Sequence, residues 1–131
     1  MNVDSKFKDV LIVDDDPDMR DILETALVGL GFHTFLADDG DVALDIFKEH
    51  HPALVVSDIF MPRFDGVRLL REIKKLSSET AVILITGYSH LDKQHQSQYE
   101  EYMPDALLRK PFNLRELIDA IKSIGKESPP N

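Results

Sequence analysis

The sequence predicts a doubly wound α/β fold: a five-stranded parallel sheet in strand order 2-1-3-4-5 with helices on both faces. Three observations carry this. Short, continuous, mostly β-branched runs such as Val10-Leu11-Ile12-Val13 and Ala81-Val82-Ile83-Leu84-Ile85 suit strands covered on both sides. These runs alternate with segments whose apolar residues recur at helical spacing, giving βα units in succession. Right-handed crossovers then leave few topologies, and this strand order opens a crevice at the carboxyl ends of the strands.

The first strand, Val10 to Val13, ends at Asp14. Asp16-Pro17 reads as an N-cap followed by proline at the first helical position. Met19, Ile22, Leu23, Ala26, Leu27 and Leu30 continue as a helical stripe, which Gly31 stops. His33 to Ala37 reads as the second strand and Asp38-Asp39-Gly40 as a turn. Asp41 to His50 follows as a helix with Val42, Ala43, Ile46 and Phe47 on one face, and Pro52 stops it. Ala53 to Ser57 is the third strand, ending at Asp58. Met61 to Gly66 is a loop, where Gly66 fits a tight turn. Val67, Leu70, Ile73 and Lys74 open a helical face that runs to Leu76. Ala81 to Ile85 is the fourth strand, ending at Thr86-Gly87. A polar, Gln- and His-rich stretch from His90 to Tyr102 reads as a helix of weak periodicity. Ala106 to Arg109 is a short fifth strand. After Lys110-Pro111, Asn113 caps a last helix with Leu114, Leu117, Ile118, Ile121 and Ile124 on its inner face. Residues 1–7 read as an N-terminal extension, 8–125 as one domain and 126–131 as a tail or linker stub.

The 131 residues carry 15 Lys and Arg against 24 Asp and Glu, a formal net charge of −9, and no cysteine. Such acidity argues against direct nucleic-acid binding, which needs a basic face. The lack of cysteine excludes disulfide scaffolds, thiol nucleophiles and Fe–S clusters. No apolar run approaches the ~20 residues of a membrane helix, and the first residues have no secretory core. A cytoplasmic location with no membrane contact is therefore expected. The acids crowd two places, Asp14-Asp15-Asp16-Pro17-Asp18 and Asp38-Asp39-Gly40-Asp41.

The polar residues that close the strands carry the chemistry. Asp14 and Asp15 follow strand one, Asp58 strand three, Thr86 strand four and Lys110 strand five. Taken singly, each has a plainer explanation as a cap, a turn former or a surface charge. In a doubly wound sheet, however, all of these ends gather in one crevice. Three carboxylates there repel one another, which raises their pKa values or demands a cation. Hard oxygen ligands suit Mg2+, which keeps several waters. With lysine and a hydroxyl added, the site lacks an anion, and phosphate fits. A carboxylate could then act as nucleophile and become an acyl phosphate.

The strings Val10-Leu11-Ile12-Val13-Asp14-Asp15-Asp16, Ser57-Asp58-Ile59-Phe60-Met61-Pro62-Arg63-Phe64-Asp65-Gly66, Ile85-Thr86-Gly87 and Leu108-Arg109-Lys110-Pro111-Phe112 resemble the receiver domain of bacterial two-component response regulators, a CheY-like (βα)5 flavodoxin-like fold. The resemblance implies that Asp58 accepts a phosphoryl group. It implies that Asp15 binds Mg2+ directly and Asp14 mostly through water, with the Phe60 backbone carbonyl as a further ligand and Mn2+ as a substitute ion. Thr86 would bond the phosphoryl group and move towards it, and Lys110 would pair with its oxygens. Gly87 would leave room beside the group, and Lys110-Pro111 matches a cis peptide in the family. The domain would be a regulatory phosphoacceptor, not a turnover enzyme, and would catalyse its own phosphorylation and slow dephosphorylation. The donor would be a sensor histidine kinase or a histidine phosphotransfer protein. An output partner, or an output domain outside this sequence, would read the face made by strand four, the 90–102 helix, strand five and the last helix. A homodimer through the 90–102 helix, strand five and the last helix is compatible with the same implication.

The stretch from Thr86 to Lys110 is longer than the family pattern, and two further places stand out. Leu107 occupies the position on strand five where many receivers carry an inward-turning aromatic residue. Phe60 and Tyr88 form an aromatic pair at the rim, expected to restrict attacking water and prolong the phosphorylated state. Phe60 also argues against an aspartyl-phosphate phosphohydrolase, which needs a second acid two residues past the nucleophile. The Asp-Asp-Asp-Pro loop argues against a flavodoxin-type phosphate loop, because it repels phosphate without metal. A receiver-like module that is never phosphorylated is the remaining alternative.

Overall fold

The computed structural model describes residues 8–61, 63–87 and 102–126. Its elements are β1 (Asp9–Val13), α1 (Pro17–Gly29), β2 (His33–Ala37), α2 (Gly40–His50), β3 (Leu54–Asp58), α3 (Gly66–Leu76), β4 (Ala81–Thr86), β5 (Ala106–Arg109) and α4 (Leu114–Lys126). The predicted helix at 90–102 lies outside the described residues, apart from Tyr102. The five strands form one parallel sheet in the order β2-β1-β3-β4-β5.

Alternation along the strands sends successive side chains to opposite faces and so divides the core in two. Val10, Ile12, Leu54, Val56, Ile83 and Ile85 face α1 and α4, where they meet Leu23, Leu27, Leu117 and Ile121. Leu11, Val13, Val55, Val82 and Leu84 face α2 and α3, where they meet Phe47, Leu69, Leu70 and Ile73. The apolar runs are continuous because both faces are covered.

Side-chain caps set the helix starts. Asp16 accepts from the Asp18 amide at 3.0 Å, with Pro17 in the first turn. Asp39 accepts from Val42 N at 2.8 Å, so α2 begins at Gly40 and the expected turn is in fact a cap. Asp65 accepts from Arg68 N at 2.9 Å. Asn113 and Glu116 form a reciprocal capping box at the start of α4. Gly31, at φ 102°, supplies the left-handed residue beyond α1.

Three residues expected on inner helix faces point outward instead. Ile22 is 61% exposed, Val42 40% and Leu114 48%. Ile22 and Val42 each precede a fully buried residue, Leu23 and Ala43, and one residue turns the helix by about 100°, off the buried stripe. Leu114 stands in the first turn of α4, ahead of Leu117, the first buried residue on its stripe.

Lys74 belongs to an unforeseen link. Its Nζ donates to the Thr80 carbonyl at 2.6 Å and to Asp105 Oδ2 at 2.9 Å. The same Asp105 oxygen accepts from Val82 N at 2.8 Å, while Asp105 N donates to Val82 O. The end of α3 is thereby tied to the start of β4 and to the entrance of β5.

Gly66 is the first residue of α3, and its role differs from the tight turn expected. A Cβ there would lie 2.4 Å from the Asp58 carbonyl oxygen and 2.9 Å from Ile59 Cα. Gly66→Ala is expected to destabilise the domain by about 1–3 kcal/mol, because backbone must give way. Gly29→Ala, with nothing within 4 Å of the added Cβ, is expected to be neutral or stabilising by up to about 1 kcal/mol. Urea unfolding of the two variants measures the contrast.

Candidate functional site

The crevice forms because the pairing between strands runs one residue past the ends of several of them. Asp14 N donates to Ala37 O at 3.1 Å, Ile59 N to Ile85 O at 2.9 Å and Lys110 N to Thr86 O at 2.7 Å. These bonds hold Asp14, Asp58, Thr86 and Lys110 at neighbouring positions along one end of the sheet. Asp14 and Thr86 are fully buried and Asp58 is 7% exposed, whereas Asp15 is open to solvent. One carboxylate oxygen from each of Asp14, Asp15 and Asp58 lies within 4.8 Å of the others. Lys110 Nζ stands 3.8 Å from Asp58 Oδ2, across the crevice.

Burial decides the electrostatics. It raises the pKa of Asp58 to about 6, against a smaller lowering by the Lys110 ammonium and a further rise from the Asp14 charge. Asp14 is also raised, first by burial, and a hydrogen bond from the Asp16 amide opposes the rise. Asp14 Oδ2 is a buried oxygen with no hydrogen-bond partner. A buried acceptor left without a partner is costly unless a cation or water meets it. Three carboxylates with one such oxygen form an all-oxygen donor set of the kind Mg2+ takes. Among the described residues they are the one group of three or more acidic or histidine side chains placed to share a metal ion.

The response regulator receiver domain model matches residues 10–122. The chain belongs to this family. It is 38% identical over 115 residues to the "Probable transcriptional regulator ycf27" of Porphyridium aerugineum, covering 88% of this chain and 47% of that protein. It thus spans about half the length of that relative. Sporulation initiation phosphotransferase F of Bacillus subtilis is 35% identical over 113 residues, covering 86% of this chain and 90% of that one. Among solved structures, the response regulator protein TrrA of Thermotoga maritima, in complex with Mg2+-BeF, superposes with a TM-score of 0.79 at 33% identity. That match covers 89% of this chain and 98% of TrrA.

Phe60 and Leu107 are partly buried and pack against the core on the α2 and α3 side. Gly87 is exposed, and a Cβ there would meet only Lys110 Cδ, at 3.9 Å. The Lys110-Pro111 bond is cis. Tyr88 lies outside the described residues.

Two side chains that sequence reasoning missed touch the site through its backbone. Ser57 Oγ donates to the Asp58 carbonyl at 2.9 Å, and Arg20 Nη1 donates to the Asp14 carbonyl at 2.7 Å. Backbone carbonyls bear no residue-specific mark, so no motif announces these bonds. The one signal for Arg20 is its place four residues after the Asp16 cap, in the turn of α1 nearest the crevice.

The raised Asp58 pKa has a consequence for stability. Between its ordinary value of 3.8 and about 6, the folded domain holds a proton that the unfolded chain has released. Stability from this group is therefore fullest below pH 3.8 and is lost as pH rises towards 6. Asp58→Asn removes that loss. In EDTA at pH 7 the variant is expected to exceed the wild type by about 2–3 kcal/mol, with the gap closing at acid pH. Chemical denaturation across pH measures both.

Proposed function

We propose that this receiver domain is a phosphoacceptor switch, with residues 8–125 as the working unit. The observation that carries the reading is the buried Asp58, 3.8 Å from Lys110 Nζ and grouped with two carboxylates, one of which has an unpartnered buried oxygen. Asp14 and Asp15 would hold Mg2+ with Asp58 and the Phe60 carbonyl, and Mn2+ could take its place. Bound there, the ion would offset the crowded negative charge and that of the arriving phosphoryl group.

A carboxylate oxygen of Asp58 attacks the phosphorus of a phosphohistidine. The O–P bond forms as the P–N bond breaks, and the electron pair leaves on the imidazole nitrogen. Lys110 leaves its partner Asp58 oxygen and pairs with the phosphoryl oxygens, and the Thr86 hydroxyl bonds another of them. The donor is a sensor histidine kinase or a histidine phosphotransfer protein in the cytoplasm. An apolar hollow of about 430 Å3 beside Lys110, lined by Met19, Ile22, Pro111 and Phe112, offers the donor a surface next to the acceptor. Phosphorylation turns the Asp58 carboxylate, of charge −1, into an acyl phosphate of about −2, a net gain of about one negative charge, and draws Thr86 towards the group. Partner contacts on the face containing β4, the 90–102 segment, β5 and α4 then change. Leu107 takes part in that change through its packing, with no aromatic ring to swing inward.

Incubation with Mg2+ and acetyl phosphate is expected to add one phosphoryl mass to the wild type and none to Asp58→Asn. Beryllofluoride with Mg2+ is expected to shift the amide resonances of β4 and β5. No Asp58-dependent modification under either condition would overturn the proposal. Phe60→Asn, which removes the ring two residues past the acceptor, is expected to speed loss of the phosphoryl group several-fold in a time course after donor removal. An unchanged rate assigns the ring to packing alone.

A further inference from the structure

We propose that Arg20 is a positioning residue for the divalent-cation site and works through the backbone of Asp14, not through its own charge. The inference rests on the reading that Asp14, Asp15 and Asp58 hold Mg2+. Arg20 lies in the first turns of α1 and is partly buried. Its Nη1 donates to the Asp14 carbonyl oxygen at 2.7 Å. The Asp14 amide is engaged by Ala37 O at 3.1 Å, and Asp14 Oδ1 by the Asp16 amide at 2.9 Å. Each Asp14 polar atom therefore has a partner except Oδ2, the buried oxygen left for the cation.

The carbonyl that Arg20 grips belongs to the peptide unit joining Asp14 to Asp15. That unit is planar, so fixing its oxygen also fixes its nitrogen and the following Cα. The direction in which the Asp15 side chain leaves the backbone is thereby set. Asp15 needs this most, because it is exposed and yet brings an oxygen within 4.8 Å of two buried carboxylates. Arg20 also ties the end of β1 to α1, the two elements between which Asp15 sits.

Electrostatics alone predicts the opposite sign. Arg20 is a cation held at the Asp14 backbone, so removing its charge should tighten a divalent ion by Coulomb's law. If the guanidinium acts as a clamp, removing it loosens the ion, as loss of outer-shell support does in metal sites generally.

Calorimetric titration of Mg2+ into the wild type, Asp15→Asn, Arg20→Met and Arg20→Lys separates these. Arg20→Met is expected to weaken Mg2+ by about tenfold. Arg20→Lys keeps a donor for the carbonyl and is expected to recover most of that loss. Equal or tighter Mg2+ binding by Arg20→Met, with Asp15→Asn impaired, overturns the inference and leaves the phosphoacceptor reading standing. Wild-type binding that is absent or indifferent to Asp15 overturns both. Should Arg20→Met fail to fold in EDTA, Arg20→Gln, too short to reach the carbonyl, takes its place with the same expectations.

Discussion

Asp14 and Asp58 sit almost out of water at adjacent strand ends, and Asp15 brings a third carboxylate beside them. Burial and mutual repulsion both oppose ionisation there, and a single ammonium across the crevice offsets only part of the effect. A core that simply maximised stability would not keep this arrangement. It persists because each acid is fixed by backbone that the rest of the fold holds rigid: the ladder bonds beyond β1, β3 and β4–β5, the Asp16 cap, and the close approach of Gly66 to the Asp58 carbonyl. The scaffold stores unfavourable charge at one place, where a cation and then an anion can relieve it.

The parallel sheet makes such a site possible. Parallel strands all finish at the same end, so polar residues that merely terminate strands become neighbours without a dedicated loop. Antiparallel strands would have sent Asp14 and Asp58 to opposite ends, because β1 and β3 are adjacent. The two-sided core supplies the stability that the crevice gives up.

Much of this was legible in the sequence. The strand runs, the caps at Asp16 and Asn113, and the strand-end residues Asp14, Asp58, Thr86 and Lys110 are all local patterns of a few residues each. Contacts that depend on tertiary approach were not legible. Lys74 reads as the tail of an apolar stripe, yet its partner Asp105 stands 31 residues later. Gly66 reads as a turn glycine, but the constraint is the Asp58 carbonyl packed against it. Arg20 and Ser57 act on carbonyls, a group that every residue carries. Ile22, Val42 and Leu114 lie at the margins of helical stripes, where periodicity alone assigns the wrong side.

The division of the core by the sheet bears on how the protein can vary. Among the described residues, fifteen buried residues on one side never share a cluster with the fifteen on the other. Substitutions on opposite sides, separated by a layer of backbone, should combine additively. One half of the domain can therefore be reshaped around a new binding partner while the other keeps its packing. The strand ends are the shared boundary where that independence stops.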